Sequence, residues 1–240
     1  MEETERIREV YARDRFTLAR ADDWSAPYHP RNPKGFGRYQ LHTIERAVTA
    51  VLNAGEVELA GRTIVDLGCG GGHLLRFLVE LGADPQDCTG LDLMEERVEL
   101  GKRCNPAMTF VAGDATDTGL EGPYDIVCQS GALCNLTDDA NRQRFAEEML
   151  RLTAPGGWIL WHDVAVQQAN DHTRAVPPAE VRRLLHADPV AERWVFHKRT
   201  EQFVTYGMPW LADAIDAYAP QRLVPRFNYV ALFRRSRRFG

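Results

Sequence analysis

No run of apolar residues in this chain approaches the ~18 that a membrane span requires, so the sequence offers no candidate transmembrane helix. Its first residues, Met1-Glu2-Glu3-Thr4-Glu5-Arg6, are too acidic for the start of a signal peptide. Cysteine is sparse. Five residues, Cys69, Cys88, Cys104, Cys128 and Cys134, make an odd count without a C-x-x-C pair, which supplies neither a disulfide framework nor zinc-ligand spacing. These absences fit a soluble protein in a reducing, cytoplasmic compartment. Positive charge is not in excess either: the formal net charge is −5, which argues against a surface built to neutralise nucleic-acid phosphates. The basic run Arg234-Arg235-Ser236-Arg237-Arg238 follows the apolar Tyr229–Phe233 and reads as a solvated tail after a last strand. Internal repeats and low-complexity tracts are missing too.

What the chain does have is 240 residues with 44% hydrophobic content, enough to bury one substantial core. The organising stretch is Thr63-Ile64-Val65-Asp66-Leu67-Gly68-Cys69-Gly70-Gly71-Gly72-His73, a β-branched run, an acid, alternating glycines and then a helical pattern. That order predicts the first strand, tight turn and helix of an α/β sheet. Gly68, Gly70 and Gly72 let the backbone take positive φ and let a ligand lie against bare main chain, while the amides of the following helix face the same cleft. A dinucleotide fingerprint, G-x-G-x-x-G, needs glycine at 73, where this chain has His73. The pattern present is D-x-G-x-G-x-G, with Asp66 just ahead of the turn.

Before this stretch, residues 1 to about 20 read as a loosely amphipathic helix, and 21–37 as an aromatic, proline-rich loop. Leu41, Ile44, Val48, Val51 and Leu52 then recur at helical spacing up to the stop signal Asn53-Ala54-Gly55. After it, Leu74, Leu75, Phe77, Leu78 and Leu81 make a helix face. A second strand, 88–93, carries Asp92 where it would end beside the glycine turn, and a carboxylate there can accept from both hydroxyls of a ribose. Strands follow at 108–112, before Asp114, and at 123–130. Thr137-Asp138-Asp139 reads as a cap for a helix that buries Phe145, Met149 and Leu152. Beyond a Pro-Gly-Gly turn come a fifth strand to about 162, a short helix at 178–186, a sixth strand at 191–197, a helical piece within 207–218 and a last strand at 229–233. Strand and helix alternate, which predicts a doubly wound sheet.

The glycine turn with Asp66, the acids Asp92 and Asp114 at successive strand ends, and the segment Leu152-Thr153-Ala154-Pro155-Gly156-Gly157 together resemble the class I S-adenosylmethionine (SAM)-dependent methyltransferases over about residues 62–162. The resemblance implies a Rossmann-like seven-stranded sheet whose last two strands form an antiparallel hairpin at one edge, preceded by an N-terminal helical lid. It divides the chain into a lid over 1–55 and a SAM-binding domain over 56–240, with substrate-side insertions at about 163–190 and 200–226. It implies SAM as cofactor, with Asp66, Gly68, Cys69, Gly70, Gly72, Asp92 and Leu93 around it, Asp114 and Ala115 at the adenine, and Gln129 at the end of the fourth strand. Ser130 would then face the transferred methyl group.

Methyl transfer from a sulfonium is an in-line displacement that needs an aligned, dry acceptor ~3 to 3.5 Å from the methyl carbon. An acceptor that loses a proton also needs a base with a pKa near 7, and histidine is the first choice. His162 at the end of the fifth strand is the leading candidate, with Asp163 as a group that could hold its tautomer; a hydrogen-bonded strand-end residue is the alternative. His29 and Tyr28 are candidates in the aromatic loop. His73 starts the first helix and is expected at cofactor or backbone, and His172, His186 and His197 at the surface. Tyr11, Arg15, Trp24, Tyr28, Phe36 and Gln40 are candidate lid residues, and an aromatic lid suits a flat apolar substrate. His162, Asp163 and His172 match no compact ligand motif, so no metal is expected. The function expected is methyl transfer to a small molecule, an aromatic or heteroaromatic natural product, with the indole carbon of a tryptophan-derived cyclic dipeptide as one concrete case. O- or N-methylation of a sugar or other metabolite is the alternative. A nicotinamide-dependent oxidoreductase and a catalytically silent SAM-binding subunit are readings from other classes. A homodimer is compatible with all of these; nucleic-acid and membrane partners are not expected.

Overall fold

In a computed structural model of the chain, residues 3–13, 35–167, 172–195 and 227–236 are described. They form seven strands: β1 (Ile64–Leu67), β2 (Cys88–Asp92), β3 (Thr109–Ala112), β4 (Tyr124–Ser130), β5 (Thr153–Val164), β6 (Ala191–Val195) and β7 (Asn228–Arg234). The helices are α1 (Glu3–Arg13), α2 (Gly35–Ala54), α3 (His73–Glu80), α4 (Glu95–Cys104), α5 (Asp139–Leu152) and α6 (Pro178–Leu185). The strand order is β3-β2-β1-β4-β5-β7-β6. β1 to β5 run parallel, and β7 pairs antiparallel with both β5 and β6. The doubly wound sheet is as the strand–helix alternation predicts, and its antiparallel edge is as the resemblance implies. The helical piece expected within 207–218 lies outside the described residues.

Side chains two apart on a strand share a face, and this sorts the core into two layers. Ile64, Ile126, Cys128, Leu160, Val230 and Leu232 pack with α2, α3 and α4 through Val48, Val51, Leu75, Leu78 and Val98. Val65, Leu67, Val127, Ile159, Trp161, Ala231 and Phe233 pack with α5 and α6 through Phe145, Met149, Leu152, Val181 and Leu184. The second half of α2 is therefore part of the central core, where its Val48, Val51 and Leu52 join Val195, Val230 and Leu232. These apolar side chains are worth more against the sheet than in solvent.

At the opposite end, α1 reaches the carboxyl edge of the parallel strands. Its Glu3 carboxylate accepts from the Thr137 N–H and hydroxyl, the Asp138 N–H and the Asn141 amide. These groups surround the N-terminus of α5, where unpaired amides and the helix dipole favour an anion. Burial pushes the Glu3 pKa up, but the bonds to Thr137, Asn141 and Asp138 outweigh it and leave it lowered. Asp138 caps α5 as expected, its carboxylate accepting from Asn141 N–H.

A fully buried arginine ties the loops above β4 and β5 together. Arg142 of α5 donates through Nε to the Leu136 carbonyl (2.7 Å), through Nη1 to the Ala175 carbonyl (3.1 Å) and Glu180 (2.9 Å), and through Nη2 to the Arg174 carbonyl (2.6 Å). Removing one side of such a buried network leaves the other side desolvated and unpaired. Arg142→Met is expected to lower unfolding free energy by about 3–5 kcal/mol, measured as a fall in the urea midpoint; a midpoint within error of the wild type would show that the network contributes little.

Candidate active site

The turn from β1 into α3 is held by β2. Gly68 and Cys69 N–H both donate to the Leu91 carbonyl (2.7 and 2.9 Å), and Gly70 N–H donates to Asp92 Oδ2 (2.8 Å). Gly68, Gly70 and Gly72 have φ of 78°, 54° and 78°, the left-handed region that glycine occupies without strain. They are glycine for different reasons. A Cβ on Gly68 would lie 2.5 Å from that of Ala132, and one on Gly72 2.6 Å from the Phe110 ring, so both positions are closed by packing. Gly70 has nothing within 4 Å of the place its Cβ would take, which leaves bare backbone facing open space.

Three acids surround this turn. Asp92 is buried, its Oδ2 on Gly70 N–H and its Oδ1 on Met94 N–H (3.0 Å), with Arg97 at 3.9 Å. Asp66 is buried on the same face of the sheet, and its Oδ1 has no hydrogen-bond partner among the described residues. Burial first, and the neighbouring Asp92 charge second, push its pKa up to about 7. Asp114 stands at the exit of β3, its Oδ1 accepting from Thr116 N–H and Oγ1 (both 2.8 Å) and its Oδ2 from Thr4 Oγ1 of α1 (3.1 Å). The sequence reading missed Thr4, because a contact across 110 positions leaves no local signal. Leu93 and Ala115 are partly buried beside Asp92 and Asp114. The Cys69 thiol donates to the Gly70 carbonyl, and burial holds its pKa well above the usual thiol range.

The ends of β4 and β5 differ from expectation in two residues. Gln129 is fully buried and its amide is committed to the chain: Nε2 donates to the His162 carbonyl (3.0 Å) and Oε1 accepts from Ala132 N–H (3.0 Å). Its side chain bridges β5 and the turn after β4. Asp163 does not hold the His162 ring, since adjacent residues on a strand face opposite sides. It is buried on the α5 side, accepting from Cys134 N–H (3.1 Å) and Val164 N–H (2.7 Å), and burial raises its pKa to about 6. The His162 ring meets Ser130 instead, whose Oγ lies 2.8 Å from Nδ1. His73 meets Glu45 of α2 at 3.4 Å, and that contact lowers the Glu45 pKa.

Of the remaining candidates, Arg15, Trp24, Tyr28 and His29 lie outside the described residues, while Tyr11 falls on α1 and Phe36 and Gln40 on α2. His172 and His186 are exposed. Among the described residues, no three His, Cys, Asp or Glu side chains converge as a metal site, and no helix is long and apolar enough to cross a membrane.

Residues 64–157 match the family model described as a methyltransferase domain. A phthiotriol/phenolphthiotriol dimycocerosates methyltransferase of Mycobacterium ulcerans is 32% identical over 115 residues, covering 46% of this chain and 41% of that protein. A ubiquinone biosynthesis O-methyltransferase of Nitrosospira multiformis is 26% identical over 144 residues, covering 58% of this chain and 52% of that protein. The matched segment thus spans about half the length of these relatives. Among solved structures, a magnesium protoporphyrin IX methyltransferase from Synechocystis with bound SAM superposes with a TM-score of 0.64 at 16% identity, covering 98% of both chains. At that identity the likeness shows the shared fold.

Both raised carboxyls make stability pH-dependent in a direction opposite to that of a salt-bridged acid. A folded pKa of about 7 for Asp66 and about 6 for Asp163, each above the ordinary 3.8, means the folded state binds these protons more tightly than the unfolded state. Their contribution is most favourable at low pH and declines as pH rises through the folded values. The thermal midpoint of the ligand-free protein is expected to fall between about pH 4 and pH 7 and to level off above, and Asp66→Asn to flatten that slope. An identical slope in the variant would show that Asp66 is ionised throughout.

Proposed function

We propose that this chain, whose residues 64–157 match the methyltransferase-domain family model, is a SAM-dependent methyltransferase acting on a small molecule. The observation that carries the reading is the convergence, on one edge of the parallel sheet, of the open backbone at Gly70, the buried Asp66 and Asp92, and Asp114 at the next strand end. These groups fit the cofactor by chemistry. An orphaned buried carboxylate oxygen on Asp66 suits a cationic or hydrogen-bonding ligand group, which would also favour its charged form. Asp92 has acceptor capacity beyond its two backbone donors for ribose hydroxyls, and Asp114 can accept from the adenine amino group. SAM, when bound, supplies the activated methyl group; the chain's own residues bind it, exclude water and manage the acceptor's proton.

We assign the acceptor to the aromatic or heteroaromatic small molecules, with O- or N-methylation of other metabolites as the alternative. Tyr11, Trp24, Tyr28 and Phe36 in the N-terminal stretch support a flat, apolar substrate, as do the names of the phenolphthiotriol and ubiquinone-pathway relatives. The Ser130–His162 pair favours an acceptor atom that gives up a proton.

Methyl-labelled SAM incubated with simple phenols, quinols, tryptophan cyclic dipeptides and amino sugars, read by mass, tests the reading and names the acceptor. Binding of S-adenosylhomocysteine (SAH) tests the site without a substrate. Asp92→Ala is expected to weaken SAH by roughly 10- to 100-fold in calorimetry, the size of one or two hydrogen bonds to a charged group. Wild-type protein that binds neither SAM nor SAH would overturn the function proposed here.

A further inference from the structure

We infer that Ser130 is a catalytic residue that takes the proton from the methyl acceptor and passes its own to His162. The inference rests on the methyltransferase reading above. Ser130 and His162 are register partners at the carboxyl ends of β4 and β5, and both lie on the face that holds Asp66 and Asp92, two residues along from Cys128 and Leu160 of the same core layer. Their frame is rigid: the His162 carbonyl accepts from Gly131 N–H (2.9 Å) and Gln129 Nε2, and Gln129 in turn holds Ala132 N–H.

The two side chains are not equally accessible. The His162 residue is 8% exposed and its Nε2 is shut off from solvent, whereas Ser130 is only partly buried. Ser130 also precedes Gly131, whose φ is 70° and whose absent Cβ would meet nothing within 4 Å. An acceptor entering over this strand end reaches the hydroxyl before the ring. A serine hydroxyl alone is a poor base; it accepts a proton in the transition state only if its own has somewhere to go. The Nδ1 lone pair at 2.8 Å provides that place, provided the neutral ring carries its proton on Nε2.

The step balances. The acceptor oxygen or nitrogen bonds the methyl carbon as the sulfur–methyl bond breaks, and that electron pair leaves on sulfur as a neutral thioether. The acceptor's proton moves to Ser130 Oγ and the serine proton to His162 Nδ1, so the positive charge that began on sulfur ends on the imidazolium. After the methylated product leaves, the proton returns to water through the same hydroxyl.

The ring's tautomer decides the matter without an acceptor in hand. In the full chain labelled with 15N-histidine, long-range 1H–15N spectra at about pH 8 locate the His162 ring nitrogens by their loss in His162→Gln. The expected pattern is a protonated Nε2 and an unprotonated, hydrogen-bonded Nδ1, with Ser130→Ala moving the Nδ1 resonance toward that of a free imine nitrogen and Ser130→Thr restoring it. A wild-type ring protonated on Nδ1 makes Ser130 an acceptor and overturns the relay, as does an Nδ1 resonance that Ser130→Ala leaves in place. SAH titration of the wild type separates the two levels: failure to bind SAH removes the methyltransferase reading and leaves the tautomer result standing.

Discussion

The site depends on one hydrogen-bonded corner, where the first residues after β1 turn back on the end of β2. Two amides converge on the Leu91 carbonyl and a third on the Asp92 carboxylate, so the turn cannot move without breaking the strand end beside it. The space for the turn is set by Ala132 on one side and Phe110 on the other. Ala132 is itself placed by Gln129. A residue at the end of β4 thereby determines how tightly the chain can turn after β1, and the two halves of the site become one rigid unit.

That rigidity has an energetic cost, concentrated in Asp66. A carboxyl surrounded by core, with another acid nearby, stays neutral to a higher pH than an exposed one. A well-packed apolar residue would stabilise the fold more, and buried ionisable groups of this kind concentrate where a ligand completes the electrostatics. Asp163 is a different case. Its Oδ2 accepts from Cys134 N–H within the 3₁₀ turn Leu133–Asn135, while Arg142 holds the turn's far end through the Leu136 carbonyl. Asp163 thus ties β5 to the turn after β4 from the opposite face of the sheet to His162.

Much of the central domain was legible in the chain because the signals are local. The β-branched run at 63–65, the continuous apolar run at 229–233 and the Asp138 cap each act within a few residues, and the structure places strands and a cap there. Legibility failed where a residue's role is set by a distant partner. Gln129, at a strand end, has a residue type that suits ligand binding, yet both ends of its amide are taken by main chain of β5 and the following turn. Thr4 carries no motif, yet α1 brings it to Asp114. The second half of α2 reads as a helix leading inward, but nothing local says that it covers β6 and β7.

By itself, the sequence determined the alternation of strands and helices, the glycine turn and the acids at successive strand ends, because hydrophobic period, backbone freedom and strand termination are properties of short segments. Tertiary structure alone decided which of those groups face one another. Parallel pairing of β4 with β5 put Ser130, not Asp163, beside the His162 ring, and the opposite orientation of neighbouring side chains sent Asp163 to the far face. Register is a relation between strands more than twenty residues apart, fixed by the packing of two core layers at once, and no local stretch of the chain encodes it.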